Sequence, residues 1–88
     1  MEKKWTDDAW DGYQNFISTN KILLKKVNDI LKDIERNGES VGIAHPEPLK
    51  GNYSGFYSRE IDKKNRIVYK IENATLIIIQ CGTHYKDK

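Results

Sequence analysis

The chain of 88 residues is 38% apolar and 32% charged, a length and composition that allow one small hydrophobic core, so we expect a single domain over residues 1–88. Its net charge of +2 does not by itself indicate a nucleic-acid-binding protein, although residues 45–88 carry a basic surplus, with eight basic and five acidic side chains. The single cysteine excludes an intramolecular disulfide, and no apolar run has the length of a membrane span or signal peptide, so we expect a cytoplasmic protein with no membrane partner.

The first half of the chain predicts two helices. Thr6 followed by two aspartates is typical of a helix start, because the hydroxyl can cap free amides and the acids favour the positive end of the helix dipole. Ser18-Thr19-Asn20 interrupts this first helix. Apolar residues on one stripe predict a second helix, and Asn37-Gly38 marks its end. The stripe consists of Leu23, Val27, Ile30, Leu31 and Ile34.

The second half predicts a loop and then strands. Glycines and prolines fragment residues 39–55, which leaves room only for a short edge strand near Leu49, because proline cannot donate to a strand ladder. Alternating or apolar runs over residues 56–61, 66–72 and 76–79 predict three strands. The last run is continuously apolar, which indicates a strand in the interior of a sheet.

These elements predict an α+β fold in which two N-terminal helices pack on one face of a twisted antiparallel sheet. Lys4-Trp5 could add an N-terminal edge strand. Within residues 66–72, alternation places three apolar side chains on one face and Arg66 and Lys70 on the other. The polar face would be open to a ligand.

Four residues carry groups suited to catalysis: Glu47, Arg66, His84 and Tyr85. Prolines on both sides of Glu47 hold its carboxylate on a stiff, extended segment. A strand-borne arginine offers a fork of donors to a phosphate, a histidine is the usual general acid or base, and a neighbouring tyrosine can stack on a nucleobase. Each residue alone also has a simpler interpretation: Glu47 as an acid exposed on a loop, Arg66 as a solvated surface arginine, and His84 and Tyr85 as two exposed rings at the C-terminus.

Together the four groups supply what RNA cleavage without a metal needs. These needs are a base for the ribose 2′-hydroxyl, a cation for the charge on the phosphate and an acid for the leaving 5′-oxygen. No metal site or cofactor is expected, because the two histidines, His45 and His84, lack typical ligand spacing. Cys81 lies in an apolar run, where we expect a buried, unreactive thiol.

Several short motifs follow one another in a specific order along the chain. They are Pro46-Glu47-Pro48-Leu49-Lys50, then Ser54-Gly55-Phe56-Tyr57-Ser58-Arg59 with Ile61, then Arg66-Ile67-Val68-Tyr69 and His84-Tyr85, preceded by Trp5, Trp10-Asp11 and Tyr13. In this order the motifs resemble the YoeB/Txe family of the RelE toxin superfamily, and the resemblance covers nearly the whole chain.

This resemblance implies the RelE-like microbial ribonuclease fold and a toxin of a type II toxin–antitoxin module. Such a toxin enters the ribosomal A site and cleaves the bound mRNA without a metal. It is inhibited by a cognate antitoxin of the YefM/Axe type and is often a homodimer. The implied roles are general base for Glu47, charge stabilisation for Arg66, general acid for His84, substrate orientation for Tyr85, and binding of the RNA backbone for Lys50 and Arg59.

The sequence departs from the family pattern at three places, one of which is Val41-Gly42-Ile43-Ala44-His45, where relatives have a more basic segment before Pro46. Residues 86–88 follow the His84-Tyr85 pair at which family members often end, and Glu60 stands where several relatives carry a second basic residue. Two other functions stay open: a non-cleaving RelE-fold module that blocks translation or acts as a corepressor with its antitoxin, and a ParE-type gyrase inhibitor. The set of Glu47, Arg66 and His84-Tyr85 argues against the gyrase inhibitor, which does not need these groups.

Overall fold

Both helices lie where the sequence predicts them. In the computed structural model, which describes residues 1–83, α1 spans Asp7–Thr19 and α2 spans Lys21–Asn37. The Thr6 hydroxyl oxygen accepts a hydrogen bond from the Ala9 amide at 3.2 Å, which satisfies one of the amides that has no partner inside α1. Neither helix of this part of the chain has the length and apolar character needed to cross a membrane.

Asn20 separates the two helices and serves both. Its amide donates to the Phe16 carbonyl oxygen at the end of α1, and its side-chain oxygen accepts a hydrogen bond from the Leu23 amide at the start of α2. Gly38 then ends α2 with φ of 90°, a conformation that glycine adopts without steric cost. The interruption and the stop signal predicted from the sequence are therefore confirmed.

Within residues 1–83, five strands form one sheet in the order β1-β5-β4-β3-β2. They are β1 (Glu2–Trp5), β2 (Glu47–Pro48), β3 (Tyr57–Glu60), β4 (Arg66–Glu72) and β5 (Thr75–Gly82). The pairings from β2 to β5 are antiparallel, whereas β1 runs parallel to β5. The sheet is therefore mixed, and the expectation of a purely antiparallel sheet needs this correction. Because parallel neighbours require a long crossover connection, the two helices between β1 and the rest of the sheet make this pairing possible.

The edge strand expected near Leu49 is found just before it. β2 contains only Glu47–Pro48, and the Leu49 amide continues the pairing by donating to the Phe56 carbonyl oxygen at 2.9 Å. β4 has the predicted bounds, and β5 has a neighbour on both sides, as its apolar run indicates.

The hydrophobic core lies between the two helices and one face of the sheet. Buried residues of α1 and α2 pack there against alternate residues of β4 and β5. The Cys81 side chain is 4% exposed, and its burial raises the pKa of the thiol to about 12, which agrees with the expected unreactive cysteine. The main core members are Ala9, Phe16, Val27, Ile30, Leu31, Ile34, Ile67, Tyr69, Leu76 and Ile78.

An aromatic cluster lies at the β1 edge of the sheet. The ring centroids of Trp5 and Trp10 are 5.5 Å apart, and the Tyr13 ring is 5.0 Å from Trp5. The Tyr13 hydroxyl donates a hydrogen bond to Asn28 Oδ1 at 2.8 Å, which ties α1 to α2. The cluster thus joins β1 to α1 through aromatic contacts, and its one hydrogen bond joins it to α2.

Gly12 allows α1 to approach β5 closely, and we predict that Gly12→Ala destabilises the fold. A Cβ atom at this position would lie 1.8 Å from the Cys81 carbonyl oxygen, a backbone atom that cannot move without disturbing β5. We expect a net loss of about 1–3 kcal/mol, because the overpacking exceeds the roughly 1 kcal/mol by which alanine favours a helix over glycine.

Thermal unfolding measures this effect. In a chain of this size a loss of 1 kcal/mol lowers Tm by roughly 4–8 °C. Gln14→Ala, at an exposed position of the same helix, serves as the control and should leave Tm nearly unchanged. A Gly12→Ala protein as stable as the original would show that α1 can move away from β5 at no cost.

Candidate active site

The sheet face opposite the helices carries the polar groups of the candidate site. In β4, Ile67 and Tyr69 belong to the core on the helix side, so Arg66, Val68 and Lys70 lie on the opposite face, as predicted. We call this opposite face the site face. Because directly opposed residues on neighbouring strands share a face, the strand register identifies the other members of the site face.

The register places Glu47 and Arg66 beside the same serine. Glu47 is the cross-strand partner of Ser58, and Ser58 is in turn the partner of Val68. Arg66 Nη1 donates a hydrogen bond to Ser58 Oγ at 3.2 Å. Glu47 and Arg66, both predicted site residues, therefore each lie next to Ser58 on the site face.

Glu47 is exposed on the edge strand, and the backbone before it is strained. Ala44 and His45 have φ values of 64° and 55°, in the left-handed region that costs residues other than glycine about 1–2 kcal/mol each. The Glu60 amide donates to the Ala44 carbonyl oxygen at 2.9 Å and holds this turn against β3. Strained segments of this kind persist only where the surrounding structure holds them, and they are common at functional sites.

Arg66 lies between an acid and a glycine. Its cross-strand partner on β3 is Glu60, and its partner on β5 is Gly82, which has no side chain to cover the guanidinium. Within residues 1–83, Ser58 Oγ is the one atom that accepts a hydrogen bond from Arg66. The acid at position 60 adds a negative charge to the site face, close to the cation expected to bind phosphate.

Two lysines near the site differ in their surroundings. Lys50, predicted to bind RNA, is exposed just before the short 3₁₀ turn Gly51–Tyr53, and it follows Glu47 by three residues on the same edge. Lys70 lies on the site face with its Nζ 4.9 Å from the centroid of the Phe56 ring and 3.3 Å from Glu72 Oε1. No contact within the described residues joins either lysine to Glu47 or Arg66.

Arg59 is buried, which corrects the prediction that it binds RNA. Its side chain is 0% exposed, and its cross-strand partner Ile67 is a core residue, so it lies on the helix side of β3. All five N–H donors of the guanidinium are used inside the protein. The acceptors are Tyr69 Oη, Asp33 Oδ2 and the carbonyl oxygens of Gly38, Val41 and Ile43.

The charge of Arg59 is balanced within this network. Its hydrogen bond to the Asp33 carboxylate is the main cause that lowers the pKa of Asp33 below its usual value. Burial raises the pKa of the Tyr69 hydroxyl, which accepts from Arg59 and donates to the Glu39 carbonyl oxygen at 2.7 Å. A guanidinium without a free donor cannot reach an RNA phosphate, so Arg59 has a structural part in this fold.

The predicted general acid His84 and its neighbour Tyr85 lie outside the described residues, and their roles stay predictions. β5 ends at Gly82, the cross-strand partner of Arg66, and His84 follows two residues later in the sequence. Among the residues of the described part, no group of three or more histidine, cysteine or acidic side chains could hold a metal ion.

Sequence reasoning assigned no role to Ser58, which the structure places between Glu47 and Arg66. The alternation of side chains along β3 could have identified it. Tyr57 packs against the core and Arg59 lies on the same side of the strand, so Ser58 and Glu60 lie on the site face. The same alternation would have shown that Arg59 faces the helices.

Sequence comparison connects this chain with one family over nearly its whole length. Residues 5–85 match the family model described as YoeB-like toxin of bacterial type II toxin–antitoxin system. The chain is 40% identical to Toxin YoeB of Escherichia coli, over 97% of this chain and 100% of that relative. It is 42% identical to Toxin YoeB of Synechocystis sp., over 98% of this chain and 99% of the relative.

Solved structures agree with this match. The chain is similar to the toxin of the YoeB-YefM complex from Staphylococcus aureus, with a TM-score of 0.92 and 39% identity over 97% of this chain and 98% of that one. It is also similar to the YoeB/ParE toxin from Agrobacterium tumefaciens, with a TM-score of 0.91 and 36% identity over 97% and 100% of the two chains. The YoeB dimer from Staphylococcus aureus gives a TM-score of 0.89 and 38% identity over 97% and 98%. YafQ from Escherichia coli, 13% identical with a TM-score of 0.77, shares the fold alone.

Proposed function

Because the chain belongs to the YoeB-like toxins of bacterial type II toxin–antitoxin systems, we propose that it is an endoribonuclease that cleaves mRNA in the ribosomal A site and so inhibits translation. The observation that carries this proposal is the placement of Glu47 and Arg66 beside Ser58 on the site face. An exposed carboxylate next to an arginine can combine proton removal with stabilisation of negative charge.

In the proposed reaction Glu47 takes the proton of a ribose 2′-hydroxyl, and the 2′-oxygen attacks the adjacent phosphorus. Arg66 stabilises the charge that develops on the non-bridging oxygens, for which a guanidinium fork is well suited. His84 gives a proton to the leaving 5′-oxygen, and Tyr85 orients the nucleotide. The products are a 2′,3′-cyclic phosphate and a 5′-hydroxyl, and all proton transfers are assigned to side chains of the protein.

The order of residues at the end of β5 supports a site shared by these groups. Gly82 pairs with Arg66, so the chain leaves the sheet beside the guanidinium two residues before His84. Lys50 is exposed on the edge that carries Glu47, where an ammonium group could bind the RNA backbone. The acid at position 60 reduces the positive charge around Arg66 and would weaken this electrostatic contribution.

The proposal includes two protein partners. One similar solved structure is a YoeB-YefM complex from Staphylococcus aureus, and another is a YoeB dimer from the same organism. We propose that this chain likewise binds a cognate antitoxin of the YefM type and forms a homodimer. A ribosomal substrate would place its activity in the cytoplasm.

Cleavage of a defined mRNA by the purified protein tests the proposal. We expect cuts within the A-site codon in the presence of programmed ribosomes, detected by primer extension, and their loss in a Glu47→Ala protein. A ribosome-free reaction with EDTA measures cleavage of free RNA without divalent metal. Growth arrest on expression without cuts in any reaction would instead support the non-cleaving module or the gyrase inhibitor.

A further inference from the structure

Arg59 holds the segment that leads to Glu47 onto the body of the protein. This segment, residues 38–46, is called the lead segment below. Three of the five Arg59 hydrogen bonds end on backbone carbonyl oxygens of the lead segment, at distances between 2.9 and 3.2 Å. The other two reach Asp33 on α2 at 2.5 Å and Tyr69 on β4 at 2.9 Å. One buried guanidinium thus joins the lead segment to a helix and to the sheet.

Asp33 holds the lead segment from the helix side. Its Oδ2 atom accepts a hydrogen bond from the Ile43 amide at 3.1 Å in addition to the one from Arg59. Gly42 passes so close that a Cβ atom there would lie 1.8 Å from Asp33 Oδ2 and 2.9 Å from Arg59 Nη1, and its φ of 135° is unfavourable for other residues. The contact therefore requires glycine at position 42.

Glu39 holds the lead segment from the sheet side. Its carbonyl oxygen accepts a hydrogen bond from the Tyr69 hydroxyl at 2.7 Å, and its carboxylate accepts one from the Ile71 amide at 3.0 Å. Polar contacts therefore fix the beginning and the middle of the lead segment, and most of them involve Arg59, its ion-pair partner Asp33 or Tyr69.

β2 itself is too short to fix the direction of Glu47. The strand has two residues, and Pro48 has no amide to donate. On its far side the Leu49 amide bonds to the Phe56 carbonyl oxygen. On its near side the chain passes through the left-handed residues Ala44 and His45, a conformation that has to be held in place by its surroundings.

From these contacts we infer that Arg59 is a positioning residue that acts through the lead segment to hold the Glu47 carboxylate at the site. The inference rests on the proposed function, in which Glu47 is the general base. Lysine cannot replace arginine here, because one ammonium group cannot donate in the five directions that the guanidinium serves. Loss of these bonds lets the lead segment relax and moves Glu47 from its place.

The first test is the Arg59→Lys protein, assayed on ribosome-bound mRNA well below its Tm. We expect the saturating single-turnover rate constant to fall about 10- to 100-fold, as a displacement of a catalytic group by about 1 Å can cause. The apparent KM should change by less than about threefold, since Arg59 makes no contact with RNA in this arrangement. Tyr13→Phe removes the hydroxyl that bonds to Asn28 and serves as a control for stability, with no change in rate expected.

The second test is a pair of double mutants. Arg59→Lys should cause little further loss of rate in a Glu47→Ala protein, because a residue that acts through Glu47 has nothing to position there. In a Lys50→Ala protein, Arg59→Lys should lower the rate constant by the same factor as it does in the original protein, so that the two fold-losses multiply. If Arg59 had a purely structural role, its fold-loss in rate constant would multiply with that of Glu47→Ala and with that of Lys50→Ala.

The third test needs no RNA and uses Gly42→Ala as a second variant, which also serves if Arg59→Lys does not fold. Hydrogen exchange at the Ile43 and Leu49 amides should become faster in the variants, while exchange in α2 stays slow. Unchanged exchange, an unchanged rate in folded Arg59→Lys and Gly42→Ala proteins, or multiplicative losses in both backgrounds would overturn the inference. If Glu47→Ala were fully active while hydrogen exchange became faster in Arg59→Lys, Glu47 would not be the general base, and the proposed function rather than the role of Arg59 in holding the lead segment would be wrong.

Discussion

Replacing Glu47 with alanine is expected to slow the cleavage of ribosome-bound mRNA by about 10²–10⁴-fold, the range for loss of a general base. The fold should be unaffected, because the Glu47 side chain is exposed and β2 pairs through backbone atoms. Glu47→Gln should be nearly as slow, since the amide keeps the shape of the carboxylate but cannot take a proton. Single-turnover reactions scored by primer extension measure both rate constants.

The matched control for this experiment is Glu2→Ala. Glu2 is also an exposed glutamate on an edge strand, but it lies on β1 at the opposite edge of the sheet. Its removal should leave cleavage unchanged. A Glu47→Gln protein that cleaves as fast as the original would show that another group removes the 2′-hydroxyl proton.

Replacing Arg66 with alanine is expected to lower the rate constant by about 10²–10³-fold, as removal of one preorganised donor from a developing oxyanion does in other enzymes. Arg66→Lys should recover only part of the loss, because an ammonium group keeps the charge but not the two parallel donors of the guanidinium. The hydrogen bond to Ser58 would also be lost or displaced.

Salt dependence distinguishes this role from simple attraction of RNA. If Arg66 acts on the transition state, the loss persists at saturating substrate and at every salt concentration, whereas a plain phosphate contact mainly weakens binding and reduces the salt slope. Arg36→Ala, at an exposed position in the last turn of α2, is the matched control and should have little effect on either quantity. Recovery of the full rate by Arg66→Ala at saturating substrate would contradict the catalytic role.

The elements that the sequence predicts well are those determined by local patterns. The apolar stripe of α2, the cap at Thr6, the interruption at residues 18–20 and the alternation of β4 depend on residues close in sequence, so they could be predicted without the fold. The parallel pairing of β1 with β5 could not be predicted in this way, because it joins residues more than seventy positions apart, such as Glu2 and Thr75, and leaves no local pattern.

The candidate site was predictable in part for the same reason. The flanking prolines indicate Glu47 and strand alternation indicates Arg66, and the structure places each of them next to Ser58 of β3. Arg59 was wrongly expected to bind RNA: strand alternation gives the face on which it lies, but a charged residue is rarely fully buried, and its five acceptors come from separate elements that only the folded chain assembles. The backbone carbonyls that receive three of these bonds have no signature in the sequence.

Both tryptophans of the chain belong to the aromatic cluster at the β1 edge, which determines what its intrinsic fluorescence can report. β1 and β2 are the opposite edges of a five-stranded sheet, so four strand spacings, roughly 19 Å, separate the cluster from the strand that carries Glu47. Emission from Trp5 and Trp10 therefore records whether α1 remains packed on β1 and is insensitive to side-chain changes at the site. An unchanged emission spectrum in a Glu47, Arg59 or Arg66 variant would show, without a further label, that α1 is still packed on β1.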